Sequence, residues 1–201
     1  MLELADIFRE YGPAYLEKYG ERMLPGHKKA IQDIVHCRTE ALGGEVLYCD
    51  ACKEFLSCYH SCGNRHCPKC GQDRAKHWCD KQLRKRLPVP YFMVTLTLPH
   101  SLNALARSNQ KLIYDLLFRT SADALQAVAL NPKWFGAEIG MVGALHTWER
   151  DMGYHLHVHY LVPGGGIDPN TGEWLPSHST FLVPGSALRK VFRAKFRDAL
   201  K

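Results

Sequence analysis

Two clusters of side chains in this sequence have the types and the spacing to hold metal ions. In Tyr154-His155-Leu156-His157-Val158-His159-Tyr160-Leu161-Val162 a histidine stands at every second position, three in succession. Strand geometry has a period of two. An extended chain therefore sends His155, His157 and His159 to one face and Leu156, Val158, Tyr160 and Val162 to the other. One face is built to bind and the other to bury. Imidazoles side by side on a rigid strand can chelate a divalent cation without first ordering a loop. His146 and Glu149 precede the turn Asp151-Met152-Gly153, and an antiparallel hairpin there brings His146 alongside as a third ligand, with Glu149 or His155 the alternatives. A cation with three protein ligands and open positions can polarise a phosphodiester oxygen and stabilise the charge of an in-line displacement. His155, His157 and His159 are the expected catalytic residues. Imidazole accepts manganese, zinc, cobalt or nickel, and magnesium where substrate phosphates complete the sphere.

The second cluster is made of thiols. Eight cysteines occur, six of them between Cys49 and Cys70. Cys49-x-x-Cys52 and Cys67-x-x-Cys70 are separated by fourteen residues, two knuckle-like pairs whose thiolates suit one tetrahedral zinc. Cys37, Cys58, Cys62 and His66 lie close enough in sequence to supply a second set, so one or two structural zinc ions are expected, and spacing does not decide which ligands pair. Cys79 reads as a spare buried thiol. The start, Met1-Leu2-Glu3-Leu4-Ala5-Asp6, lacks the basic residues and apolar run of a secretory leader, and no run of roughly 18 apolar residues occurs. A cytoplasmic setting, metal in place of disulfides, and no membrane partner are the expectation.

Charge is placed unevenly. Of a net +6, residues 62–90 hold eight basic side chains against Asp73 and Asp80, and residues 189–201 hold six against Asp198. Such blocks suit phosphate backbones. Arg65, Lys69, Arg74, Lys76, Arg84, Lys85 and Arg86 are the candidate DNA contacts, although solvated helix faces carry similar charge.

The elements that must position these groups follow from periodicity. Residues 1–36 read as short helices, with apolar stripes broken at Gly12-Pro13 and Pro25-Gly26. Residues 37–88 form the cysteine-rich module, ending in a basic helix. Residues 89–201 open with a buried strand, Tyr91 to Leu98, followed by one long helix carrying Leu102, Leu105, Leu112, Ile113, Leu116 and Leu117 and stopped at Asn131-Pro132. A strand from Ile139 to Trp148 and the histidine strand come next, then a loop, then an amphipathic helix beginning near Ser186. The class is α+β: a small zinc module followed by an antiparallel sheet in a split βαβ layout. Leu188, Val191, Phe192 and Phe196 are still in helical register near Lys201, so the fold is expected to continue in a longer parent.

Three runs bear a family likeness. Cys37-Arg38-Thr39, Leu42-Gly43-Gly44 and Ser61-Cys62-Gly63-Asn64-Arg65-His66-Cys67-Pro68-Lys69-Cys70 resemble the zinc-binding region of rolling-circle transposases of the insertion sequence 91 family. Tyr91-Phe92 through Thr97-Leu98-Pro99, Leu145-His146-Thr147-Trp148 and His157 through Gly166 are similar to that family's nuclease core. The resemblance implies an HUH endonuclease fold, in which two histidines flank a bulky apolar residue, here His157 and His159 around Val158, with His155 and His157 around Leu156 also fitting. It further implies nicking of single-stranded or hairpin DNA by a tyrosine that forms a phosphotyrosine link to the 5′ end. That tyrosine belongs to a helix downstream of this sequence. A truncated, non-catalytic zinc-dependent DNA-binding protein is the other reading.

Overall fold

The computed structural model describes residues 2–178, 180 and 182–201. The chain forms two compact units, Met1–Arg86 and Leu87–Lys201.

In the first unit helices α1 (Leu4–Tyr19) and α2 (Pro25–His36) pack together, an antiparallel hairpin of β1 (Gly44–Cys49) and β2 (Glu54–Tyr59) follows, and α3 (Pro68–Leu83) closes the unit. Its buried core is very small. Ala5 and Ile34 meet Cys37, Cys67 and Cys70, with Leu4, Phe8 and Cys62 at the margin. The helices read as a separate segment over 1–36 therefore share their core with the cysteines. Every residue of β1 and β2 is exposed. A unit with so little apolar burial needs a cross-link or a metal to hold it. The apolar pattern breaks at Gly12-Pro13, yet α1 runs through both residues. Proline disfavours helix in the residue before it partly by clashing with that residue's Cβ, and Gly12 has none. Gly12 is also buried where α1 meets α2, with Ile31 in contact range of the missing Cβ.

The second unit contains β3 (Tyr91–Thr97), α4 (Asn103–Ser108), α5 (Gln110–Leu130), β4 (Val142–Trp148), β5 (Tyr154–Pro163), the short hairpin β6 (Gly165–Ile167) and β7 (Trp174–Pro176), and α6 (Gly185–Ala199). The main sheet has the order β3-β5-β4, with both neighbours antiparallel to β5. β3 and β4 consequently run the same way, linked by the helical crossover, and β5 fills the slot between them. The histidine strand is thus central. Its apolar side chains Leu156, Val158, Tyr160 and Val162 are buried with Ile113, Leu117, Leu125 and Val128 of α5 and Leu188, Phe192 and Phe196 of α6. The Tyr160 hydroxyl donates to Phe118 O at 2.9 Å and lies 2.7 Å from Ser121 Oγ, so the buried phenol is satisfied.

Three differences from the sequence reading have local causes. The helix read as continuous from Leu102 is two, broken at Asn109 (φ −134°, ψ 46°), whose amide donates to Leu105 O. Asparagine competes with the helix for backbone groups in this way. The second strand begins at Val142, and Ile139 is instead a core residue ahead of it. The segment after Pro163, read as a loop, contains β6 and β7. A Cβ at Gly165 would fall within the Trp174 indole, and one at Gly166 against Glu138 O, so the glycines serve close approach. No described helix is long and apolar enough to cross a membrane.

Candidate metal centres

The first centre is built where the β1–β2 hairpin closes. Arg38 N donates to His60 O and His60 N to Gly43 O, which ties the end of α2 to the chain leaving β2 and sets Cys37 beside Cys62. Cys67 caps α3 and Cys70 lies in its first turn, where backbone N–H groups and the helix dipole favour thiolate. The four sulfurs lie within 4.8 Å of one another. Cys37 Sγ and Cys62 Sγ stand 3.5 and 3.6 Å from Cys70 Sγ. Thiolates about 2.3 Å from a tetrahedral zinc are themselves about 3.8 Å apart, so the donor set fits zinc. Burial pushes the Cys62 thiol up to about 12. At Cys70 burial also opposes ionisation, but hydrogen bonds from the Cys37 and Cys62 thiols and from Gly63 N–H outweigh it and bring Cys70 down to about 7. A crowded set of thiols with one readily ionised member is primed for a cation.

The partners expected from spacing are therefore revised. Cys49 and Cys52 do not join Cys67 and Cys70; the hairpin carries them to its tip, and a six-residue strand at about 3.4 Å per residue puts that tip roughly 17 Å from the base. There the Cys52 N–H, the Cys52 thiol and the Ala51 N–H hold the Cys49 thiol below its ordinary value. No third ligand completes a group with them among the described residues. Cys58 is exposed on β2, Cys79 is exposed on α3 instead of buried, and His66 is exposed with its Nε2 accepting from Arg65 Nε at 3.2 Å. Of the candidate DNA contacts, Lys69 pairs with Glu3 at 2.7 Å, whereas Arg74, Lys76, Arg84, Lys85 and Arg86 are exposed on α3 and just after it.

The second centre lies on the sheet face opposite the core. Cross-strand register sets His146 of β4 directly across from His157 of β5. His159 follows two residues on. The ring centroids form a near-equilateral triangle: 5.1 Å from His146 to His157, 4.7 Å from His146 to His159 and 4.8 Å from His157 to His159. Their ligand nitrogens lie within 4.8 Å of one another, a set of imidazole donors close enough to close on one cation. Neighbours hold each ring. His157 Nδ1 donates to His155 O at 3.2 Å, and His159 Nδ1 is 2.8 Å from Thr95 Oγ1, which leaves Nε2 of each ring free to ligate. Trp148 stacks on His146 with centroids 5.2 Å apart and planes 7° from parallel. Burial, then the neighbouring His146 and His157, lowers the His159 pKa and keeps its lone pair available.

His155 and Glu149, the alternatives to His146 as third ligand on the sequence alone, fall into a different group with His100. The tyrosines of the strand are engaged elsewhere. Tyr160 is in the core, and the Tyr154 hydroxyl, 3.0 Å from that of Tyr114, is pushed up to about 12 by burial and by that neighbour. Neither the spacing nor the chemistry of Thr95, Trp148 and His100 marks them for these roles in sequence; the register of β3 and β4 against β5 shows the first two, and the turn after β3 brings in His100.

Residues 7–98 match the family described as "Transposase zinc-binding domain", and residues 140–201 match the family described as "Putative transposase". The chain is 38% identical over 199 residues to "Putative transposase y4qJ" of Sinorhizobium fredii, covering 99% of this chain and 50% of that protein. It is 33% identical over 148 residues to "Transposase for insertion sequence element IS801" of Pseudomonas savastanoi pv. phaseolicola, covering 73% of this chain and 35% of that protein. The chain thus spans half the length of the first relative and about a third of the second. No solved structure matches it. With a four-cysteine cluster inside the matched zinc-binding region and the histidine strand inside the second match, this chain belongs to the insertion sequence 91 family of transposases.

Proposed function

We propose that the second unit is the nuclease core of a rolling-circle transposase of the HUH type, which nicks single-stranded DNA at element ends, and that the first unit is a zinc-held DNA-binding module. The observation that carries this reading is the convergence of His146, His157 and His159, with the second nitrogens of two of those rings occupied by hydrogen bonds. A divalent cation such as magnesium or manganese held there would draw charge from a non-bridging phosphate oxygen in the transition state. The sheet keeps the three rings in place without DNA, so little ordering is left to the moment of binding. Trp148, half exposed beside His146, offers a flat face on which a base can stack. Exposed Arg74, Lys76, Arg84, Lys85 and Arg86 contribute sequence-independent phosphate contacts, whereas Lys69 is already occupied by Glu3. The attacking hydroxyl is assigned, as the family resemblance implies, to a tyrosine on a helix downstream of the histidines; within the histidine strand itself Tyr154 and Tyr160 are committed to packing.

The test uses the full-length protein, a labelled single strand and manganese. A covalent protein–DNA adduct is expected, and its formation should vanish in His157→Ala/His159→Ala while zinc content is unchanged. An adduct undiminished in the double variant rejects the site; free 5′ phosphate without adduct points to water as nucleophile. Binding without any cleavage by the intact protein would favour the non-catalytic DNA-binding reading.

A further inference from the structure

The same sheet face holds a second cluster that the first does not use. His155 lies one strand period from His157, with ring centroids 5.3 Å apart, yet it shares a ligand group with His100 and Glu149. Each of three neighbouring segments supplies one member. His100 opens the turn after β3, Glu149 directly follows β4, and His155 stands near the start of β5. Their ligand atoms all lie within 4.8 Å of one another.

Two further observations point to a ligand at this spot. The His100 and His155 rings stack with centroids 4.8 Å apart and planes at 30°. His155 Nδ1 is buried from solvent and has no hydrogen-bond partner, a costly state for a ring nitrogen that a cation would relieve. No hydrogen bond joins Glu149 to either ring, so the three groups are not a self-satisfied triad. The backbone nevertheless fixes them. Glu149 N donates to Gly153 O at 3.0 Å and Glu149 O accepts from Met152 N at 2.9 Å, while Asn103 Nδ2 donates to Tyr154 O at 2.8 Å and reaches His100 Nδ1 at 3.5 Å.

We propose that His100, Glu149 and His155 hold a second divalent cation, of the manganese, zinc, cobalt or nickel class, beside the one at His146, His157 and His159. Two imidazoles and a carboxylate are a common donor set for such ions and leave open positions. The carboxylate lowers the net charge of this centre relative to the all-imidazole one, which eases the repulsion between two cations set side by side. The two sets share no ligand, so each ion keeps its own open face. On a sheet that presents both, the second ion is placed to grip a phosphate next to the one being cut. That use rests on the nicking reading; occupancy of the site does not.

The zinc-loaded 201-residue chain titrated with Mn2+, with free Mn2+ followed by electron paramagnetic resonance, should take up two equivalents. Glu149→Gln, which keeps side-chain shape, and His100→Ala, at an exposed turn, should each lose one equivalent and leave the affinity of the other within about twofold. His157→Ala/His159→Ala should lose the complementary equivalent. Uptake of a single equivalent by the unaltered chain overturns the proposal, as does unchanged stoichiometry in both Glu149→Gln and His100→Ala. Failure of the nicking reading shows separately, as cleavage that survives His157→Ala/His159→Ala in the full-length protein while the two-equivalent count stands.

Discussion

Thr95 is two strands away from His146 and touches no cation, yet it should tune the affinity of the histidine centre. Its hydroxyl lies 2.8 Å from His159 Nδ1 and holds that ring with Nε2 toward His146 and His157. Thr95→Val keeps the shape and the preference for strand, so the sheet should be unaffected. What is lost is one hydrogen bond to a ring that gains positive character on ligation. Such bonds contribute about 1.5–3 kcal/mol when buried. This one is exposed, so the lower end applies, and about 1.4 kcal/mol is a factor of ten in affinity. Removal of outer partners of metal-bound histidines generally costs about 10–100-fold, in line with that figure. The assay is Mn2+ titration of Thr95→Val and Thr95→Ser. We expect about tenfold weaker binding in the first and near recovery in the second. Nitrogen NMR should show His159 losing its single tautomer only in Thr95→Val. Unchanged affinity in Thr95→Val, or equal loss in Thr95→Ser, would refute the claim that this hydroxyl orients the ligand.

Two further outcomes concern the fold. Cys70→Ser should release zinc and unfold α1 and α2, because structural zinc supplies roughly 10–16 kcal/mol of folding free energy while full burial of one isoleucine contributes about 1.5–3 kcal/mol; Cys49→Ser/Cys52→Ser should keep this zinc, and the reverse pattern in metal analysis and circular dichroism would return the site to the hairpin tip. Gly165→Ala drives a methyl into the Trp174 ring and should cost about 1–3 kcal/mol, read as a Tm lowered by several degrees; an unchanged Tm would show that the indole is free to move aside.

What was legible in the sequence depended on whether the signal was local. Alternation in residues 154–162 is a local property of strand geometry, and it separates Leu156, Val158, Tyr160 and Val162 from the histidines without any knowledge of the fold. The pairing of His146 with His157 needed only a short hairpin. Assignment of the zinc ligands needed more. Two C-x-x-C pairs look equivalent as text, but one closes a helix start in the core and the other rides on a two-stranded arm, and the arm's length lies in hydrogen bonds between β1 and β2. Period two treats His155, His157 and His159 alike and so groups them in the sequence. What divides them is the end of the sheet: His157 and His159 have β4 and β3 partners beside them, whereas His155 is near the hairpin, where Glu149 and His100 come in from the flanks.

The two centres also differ in what they ask of the protein, and this bears on how metal depletion should act. In the first unit the thiols are the core: Cys37, Cys67 and Cys70 share its buried apolar cluster with only Ala5 and Ile34, so zinc and folding are one equilibrium. In the second unit the buried face of β5 packs on α5 and α6 without any contribution from the imidazoles. Loss of a cation there removes binding and leaves the sheet standing. A chelator strong enough to strip both should thus unfold Met1–Arg86 while Leu87–Lys201 keeps its fold, and refilling the histidine centre with Mn2+ alone should not restore the first unit. The alternating strand makes this possible, since side chains that ligate and side chains that stabilise share one backbone but never one face.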